Sequence, residues 1–403
     1  MSKITLDLLF EASLPGGASC LTSVTELEPA AGPQASVAPA KFASSDKNNK
    51  KGEYGYERRF LDGAASQTVI VDSKQSQLNR CEAALAQAID DGHPTLSRIP
   101  RVKVTYTRDG VDEMQSDLTL PHRIFDGHIR AGTVDGEPVT QLDAYRAIRN
   151  ATPANARALL DASPVSLVFG SWDSSRSTRQ GRWRSALVGE IIGFCADDKP
   201  ALRGGARVDP VGMQIHLDEA QLKALADAQR AELSKGTYDK VTTKARKGSG
   251  PDPISRLGLG GIPPTLDTLS GVACSRIIRS HVLSFATLRQ MRFGAGTEGD
   301  AACRALLAAL ALNALARSDA ELYLRANCDL RESGPAKVDV DQRGGGRLAL
   351  DALTVAEADA LLDAALAAAE QKAGVHWNGV VLQVTGNPAI VAGAVADEDG
   401  ADS

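Results

Sequence analysis

The stretch TVIVDSKQSQLNRCEAAL at residues 68–85 constrains the fold more than any other part of the chain. Its first four residues are β-branched, which predicts the end of a buried strand. A helix is expected to begin at Asp72, with Gln75 three residues later completing a capping box. The buried face of that helix is predicted by apolar side chains at helical spacing, namely Leu78, Cys81, Leu85, Ala88 and Ile89.

The first turn of this helix is dense in polar side chains, from Ser73 to Gln77, and Asn79 and Arg80 follow on the exposed side. A helix N-terminus carries unpaired N–H groups and a partial positive charge, so such a turn suits a phosphate. An ordinary strand-to-helix corner, whose polar residues cap the helix and meet water, is the more common use of this pattern. This stretch alone leaves both interpretations open.

Composition places the 403-residue chain among globular proteins, with 43% hydrophobic and 24% charged residues. No apolar run reaches the roughly 18 residues of a membrane span, so we expect a cytoplasmic protein without a membrane partner. The six cysteines are scattered without a CxxC pair. They are expected to be reduced core residues, which disfavours a zinc site or a disulfide framework.

The distribution of charge is more informative than the net charge of −5. Part of the acidic charge lies in the tail at 393–403, which we expect to be disordered. Basic residues cluster at 171–184, 235–256 and 276–292, and three such clusters on an acidic chain favour a polyanionic partner. Aromatic residues make up only 4%, so an RNA partner is expected to bind through its backbone and not by base stacking.

Hydrophobic patterns along the chain predict an α+β fold with an antiparallel sheet, in the order of a split βαβ (ferredoxin-like) unit. Strands are predicted at 4–10, 19–27, 68–71, 101–107, 115–120, 165–169, 271–285, 321–328, 347–350 and 380–384. Helices are predicted at 72–89, 121–132, 141–149, 153–162, 183–194, 300–316 and 354–372. Residues 32–56 are expected to form a mobile loop, and residues 235–264 an extended or mobile excursion.

The sequence contains little that indicates a catalytic site. The chain has no P-loop, dinucleotide fingerprint, GxSxG or HExxH motif. His122 and His128 are six residues apart, which does not align two metal ligands on one helix face. Asp126 between them could join an acid–base or metal site, but nothing else in the sequence supports one. We therefore expect no cofactor and no metal.

Several motifs between about residue 58 and residue 384 resemble one family. They are VDSKQSQLNRCEAAL, LPHRIFDGHIR, LVFGSWDS followed by GRWRSALVGEIIG, LSFATLRQMRF, and ALLAALALNALA with ELYLRANCDL. The chain resembles the RAMP-superfamily backbone subunit of type I CRISPR Cascade effectors, in subtype I-G (formerly I-U).

The resemblance implies one elaborated RRM-like palm over 1–403, a helical insertion at 135–163 and a thumb-like extension at 235–264. Copies of such a subunit oligomerise along a CRISPR RNA and present it for pairing with target DNA in antiviral defence. Other subunits of the effector complex, the large subunit and the subunit that binds the repeat handle, are further implied partners. The family implies a scaffold and not a nuclease.

By motif position and local charge, the residues expected on the RNA are Arg58, Arg59, Ser73, Lys74, Gln75, Ser76, Asn79, Arg80, Arg123, Trp172, Arg176, Arg179, Arg182, Lys240, Lys244, Arg246, Lys247, Arg276 and Arg279. Contacts of this kind hold the register of the RNA but carry no sequence information, which suits a protein that must accept any guide.

Two other functions stay open on the sequence. One is a metal-dependent endoribonuclease of the same superfamily, using Asp72 or Asp126 with His122. The other is a protein-only interaction module whose basic clusters meet acidic partners.

Overall fold

A computed structural model describes residues 2–44, 52–108, 110–177, 181–195, 201–212, 215–243, 253–266 and 268–394. Within these ranges the chain forms two compact units. The first comprises Met1–Ala40, Tyr56–Ala196 and Ala273–Ala392, and the second comprises Lys41–Gly55, Asp197–Val272 and Gly393–Ser403. Each unit is described by itself below.

The strands of the described ranges, in chain order, are β1 (Cys20–Pro29), β2 (Lys41–Phe42), β3 (Glu53–Tyr54), β4 (Tyr56–Leu61), β5 (Ala64–Asp72), β6 (Arg101–Arg108), β7 (Val111–Ser116), β8 (Thr133–Val134), β9 (Glu137–Pro138), β10 (Ser171–Trp172), β11 (Arg182–Trp183), β12 (Leu187–Cys195), β13 (Cys274–Ser284), β14 (Leu330–Glu332), β15 (Lys337–Gln342), β16 (Gly346–Leu350) and β17 (Val380–Thr385).

The α-helices of the same ranges are α1 (Leu6–Ser13), α2 (Lys74–Asp90), α3 (Gly127–Arg130), α4 (Asp143–Arg149), α5 (Arg157–Ala162), α6 (Pro164–Val168), α7 (Glu219–Ala228), α8 (Lys235–Thr243), α9 (Pro253–Arg256), α10 (Phe285–Leu288), α11 (Gly296–Glu321), α12 (Val355–Ala373) and α13 (Pro388–Gly393).

A large antiparallel sheet is the centre of the first unit. Its strand order is β16-β15-β1-β13-β12-β5-β4, and β14 also pairs with β1. Along β1, buried residues alternate strictly with half-buried ones, as expected of a strand with one face on the core. The mixed α+β class with antiparallel sheets is therefore confirmed.

Helices α1, α2 and α12 each pack on α11 in this unit, and α2 also packs on β12. Helix α11 is rich in Ala and Leu and is buried on all sides from Gly299 to Leu315. Small side chains suit such a position because they let neighbouring helices approach closely. A second sheet, in the order β7-β6-β17-β8-β9, contains the parallel pair of β6 and β17.

The second unit has a small core of its own. Leu222 and Ala226 from α7 pack with Val241 from α8 and Ile254 from α9. Helix α7 begins with a full capping box between Asp218 and Gln221. Part of the segment expected to be extended, residues 235–264, is therefore helical.

Most predicted elements are confirmed, with boundaries shifted by a few residues: the strands in β1, β5, β6, β13, β16 and β17 and the helices in α2, α4, α5, α11 and α12. The strand predicted at 115–120 overlaps β7 only at residues 115–116. Helix α12 has the predicted capping box of Thr354 and Glu357, and it ends at Gly374 in the left-handed conformation. Residues 135–163 contain α4 and α5. The acidic tail from residue 395 and the segment 244–252 lie outside the described residues.

Four predicted elements are wrong. Residues 4–10 contain the start of α1, where Thr5 caps the helix, and not a strand. Residues 165–169 are largely in α6, which begins at Pro164 and is buried on all sides. Residues 183–194 form β11 and β12 and not a helix; residues 191–195 are buried on both faces, so no alternation marks this strand. Residues 321–328 begin with the end of α11 and hold no strand.

Of the described helices, one is long and apolar enough to cross a membrane by length and composition, and this helix is α11. Its apolar window is 94% buried inside the protein. Burial by neighbouring helices accounts for its composition.

The buried carboxyl of Asp117 makes stability depend on pH. It accepts hydrogen bonds from the Val102 N–H at 3.2 Å and from the Ser163 hydroxyl. Burial, which outweighs these bonds, raises its pKa from 3.8 to about 7. The folded protein thus keeps a proton that the unfolded chain releases as pH rises from about 4 to about 7, so this group lowers stability progressively over that range.

We expect Asp117→Asn, which stays neutral, to remove this loss. The free energy of unfolding of the variant, relative to wild type, should increase from about pH 4 to about pH 7, as measured by urea unfolding at several pH values. Parallel stability profiles of the two proteins would show that Asp117 is ionised in the folded state.

Candidate nucleic-acid interface

A groove of about 710 Å³ lies beside the start of α2. Its walls come from the first turns of α2, residues 118–123, the turn at 169–172 and residues 182–188. We call it the α2 groove. The fold brings six predicted RNA contacts together here, from segments far apart in sequence: Lys74, Gln75, Asn79, Arg123, Trp172 and Arg182.

The start of α2 forms one wall of the groove. Strand β5 ends at Asp72, and Ser73 caps the helix by accepting a hydrogen bond from the Ser76 N–H at 3.3 Å. The prediction that Asp72 caps the helix is therefore wrong by one residue. Lys74 and Gln75 are exposed in the first turn, where the helix dipole favours an anion. The side chain of Lys74 is 62% exposed, and its ammonium lies 4.0 Å from a carboxylate oxygen of Glu190.

Trp172 and Arg182 line another part of the groove. They face each other across the short β10–β11 pair, and the Arg182 guanidinium lies 4.6 Å from the centre of the Trp172 ring. Trp172 is 41% exposed, and Arg182 is also exposed. A guanidinium held on an aromatic face stays charged and keeps donors free for a phosphate. Lys74 and Arg182 are thus two exposed cations that line the same groove and come from different segments of the chain.

Arg123 also lines the groove, but its guanidinium is already engaged. It donates to the carboxylate of Glu82 at 2.5 and 2.7 Å and to the Gly170 carbonyl at 2.8 Å. Its backbone has a φ of 49°, an uncommon value for a residue with a side chain. Burial raises the pKa of Glu82, and the bonds from Arg123 oppose that rise. Arg123 therefore holds the α2 wall to the 170 turn.

A buried carboxylate, that of Asp72, organises the base of α2. Asp72 is fully buried and accepts hydrogen bonds from the Ser76 hydroxyl at 2.9 Å and the Gln77 amide at 2.5 Å. Arg80 Nε donates to it at 3.0 Å, and Arg325 forms a further ion pair. Burial would raise the pKa of Asp72, but the bonds from Arg80 and Gln77 and the two positive charges hold the pKa below its usual value.

Arg80 has a second set of contacts. Its Nη1 donates to the carbonyls of Tyr323 at 2.5 Å and Leu324 at 3.0 Å, which ties α2 to the segment after α11. These bonds and the pair with Asp72 give Arg80 a structural role. Its role as an RNA contact stays a prediction.

The remaining predicted cations of the first unit have protein partners, except that Arg58 is exposed on β4. Arg59 pairs with Glu57 and Glu190, and Arg176 donates to the Arg149 carbonyl and to Asn150. Arg276 pairs with Glu26, whereas Arg279 is 2% exposed and pairs with Asp319 and Glu332.

In the second unit Lys240 is half-buried on α8. Arg179, Lys244, Arg246 and Lys247 lie outside the described residues.

Several residues that shape the groove were not predicted from the sequence. Thr119 and Ser185 line it with hydroxyl groups, and Glu190 on β12 sets the position of Lys74. No local signal marked Ser185 or Glu190, because residues 183–194 were interpreted as a helix. Thr119 lies within the segment predicted as a strand, 115–120, and only the fold brings it to the groove.

The residues proposed for metal-dependent cleavage are not brought into a metal site. In the ranges that the structure describes, no group of three His, Cys, Asp or Glu residues is placed to hold a metal ion. Asp126 caps α3 by accepting from the N–H groups of His128 at 2.9 Å and His122 at 3.0 Å. Asp72 is enclosed by its arginine partners, as described above. The geometry therefore does not favour the ribonuclease alternative.

We expect Asp72→Ala to destabilise the protein by about 3–5 kcal/mol, because two partly buried arginines lose their carboxylate. Urea unfolding would measure this change. Asp339→Ala is a matched control, since Asp339 pairs with the exposed Arg347 at 3.8 Å and should contribute less than about 1 kcal/mol. Equal effects of the two substitutions would contradict a central role for Asp72.

Comparison with known proteins gives one family match. Residues 21–197 match the model of a family described as CRISPR-associated protein GSU0053. No curated protein matches the chain. The matched region includes α2 and every wall of the α2 groove. Residues 21–197 are thus those of a CRISPR-associated family, as the sequence motifs predicted, which indicates a role in CRISPR defence.

Proposed function

We propose that this chain is an RNA-binding backbone subunit of a type I-G CRISPR effector complex, and that its α2 groove binds the phosphate backbone of the guide RNA. The observation that carries this proposal is the convergence of Lys74, Gln75, Asn79, Trp172 and Arg182 on one groove, within the region that matches a CRISPR-associated family. Two exposed cations lining one groove, with a helix N-terminus beside one of them, suit a chain of phosphates.

The strand order supports an RRM-like palm as part of this proposal. In the first unit, β15-β1-β13-β12 are neighbours, α2 lies between β1 and β12 in sequence, and α11 lies between β13 and β15. A split βαβ unit has this order, with its four strands antiparallel. Strands β5 and β4 then extend the palm beyond β12. The insertion at 135–163 and the thumb-like extension at 235–264 are proposed as additions to it.

A scaffold that accepts any guide should contact phosphates and leave the bases free to pair. Lys74, Arg182 and the helix start offer charge and N–H groups without a base-reading pattern. We therefore propose that copies of this chain assemble along one CRISPR RNA in the cytoplasm, together with the other effector subunits, and present the guide to target DNA. Cleavage is assigned to another component.

Charge reversal in the groove tests this function. We expect Lys74→Glu combined with Arg182→Glu to weaken binding of single-stranded RNA uniformly across sequences. The slope of log affinity against log salt concentration should fall by about 1 for each cation that contacts a phosphate. Fluorescence anisotropy with labelled RNA at several salt concentrations would measure both effects.

The matched control is Lys3→Glu combined with Arg347→Glu, which changes the net charge by the same amount. These side chains are 74% and 76% exposed and belong to surface ion pairs that do not line the groove. Equal loss of affinity in both double variants would show a nonspecific effect of net charge. Unchanged affinity in the groove variant, with the fold intact by circular dichroism, would place the RNA elsewhere.

A further inference from the structure

A second depression, of about 360 Å³, lies on the other side of α2. Asn79 and Ala83 line both depressions, so this part of α2 is a ridge between them. The far wall of the second depression comes from the end of α11 and from Tyr323. We call it the Tyr323 cleft.

Tyr323 is 78% exposed although its backbone is firmly held. Helix α11 ends at Glu321, and Leu322 takes a left-handed conformation with a φ of 43°, which turns the chain sharply. Arg80 then fixes the carbonyls of Tyr323 and Leu324 on α2. A left-handed conformation is costly for a leucine, so the packing around this turn must maintain it. The phenol ring is thus presented to solvent from an anchored backbone.

The charges around the cleft differ from those of the α2 groove. The guanidinium of Arg80 is occupied by Asp72 and two carbonyls. The carboxylate of Glu321, which also lines the cleft, repels phosphates. What remains is an aromatic face with small neutral neighbours, Asn79, Ala83 and Ser318. A planar, uncharged ring with hydrogen-bonding edges fits these surroundings better than a phosphate does.

We propose that Tyr323 is a stacking platform for a nucleobase of the RNA whose phosphates lie in the α2 groove. This inference rests on the proposed function and extends it, because Asn79 and Ala83 line both the α2 groove and the Tyr323 cleft, so the two depressions adjoin. Stacking on an aromatic side chain accepts every base, since each has a π face. Such a platform is compatible with any guide sequence, and it adds one base contact per copy to a backbone-binding surface.

The test compares Tyr323→Ala and Tyr323→Phe on two ligands of equal length, a single-stranded RNA and an abasic oligoribonucleotide that keeps the phosphates. We expect Tyr323→Ala to lower affinity for the RNA by about 5- to 150-fold, the range for loss of one stacked base, and Tyr323→Phe to retain affinity. Both variants should bind the abasic ligand like wild type. Because the ring is exposed, neither should change thermal stability.

Equal loss on both ligands, or no loss on either, would overturn the stacking role. A change in self-association of the RNA-free protein, with RNA affinity unchanged, would also overturn it and would assign the cleft to a second copy. The Lys74→Glu and Arg182→Glu double variant separates the proposed phosphate groove from the proposed stacking platform. If it binds RNA normally while Tyr323→Ala binds weakly, the groove assignment fails and the base contact stands.

Discussion

The carboxylate of Asp72 is the interaction on which the rest of the site depends. It lies where β5 becomes α2 and has no access to water, so it needs positive partners to remain ionised. Arg80 comes from the second turn of α2, and Arg325 comes from the chain beyond α11. One buried charge therefore joins the β5–α2 corner to a segment that lies 253 residues away in sequence. The direction of α2, and with it the position of Lys74 and Tyr323, follows from this junction.

The arginines of this protein divide into those that build the fold and those that stay exposed. Arg80 and Arg123 pair with the buried carboxylates of Asp72 and Glu82, and the buried Arg279 pairs with Asp319 and Glu332. Lys74 and Arg182 keep most of their contact with solvent. Basic clusters in the sequence therefore overstate the charge that is free for a polyanion. The groove gains its positive character from a few exposed cations that different segments of the chain bring together.

Local signals in the sequence were sufficient for part of the fold. The capping box of Thr354 and Glu357 and the apolar spacing along α2 depend on neighbours within one or two turns, and both were predicted correctly. Segments buried on both faces, α6 and most of β12, carry no periodicity that separates helix from strand, and both were predicted wrongly. The partners of the arginines could not be predicted either, because they are distant in sequence. Glu82 and Glu190 lie 41 and 131 residues from the arginines with which they pair. Residues near α2 and Trp172 could be proposed as contacts, but only the fold shows that they share a groove.

The most direct test of the central claim is to map where RNA touches the protein. Single-stranded RNA carrying 4-thiouridine can be crosslinked to the full chain by light, and the modified peptides can be identified by mass spectrometry. The account predicts crosslinks to peptides that contain residues 74–79 and 172–183, the two walls of the α2 groove. Crosslinks confined to other peptides, with none in these two, would contradict it.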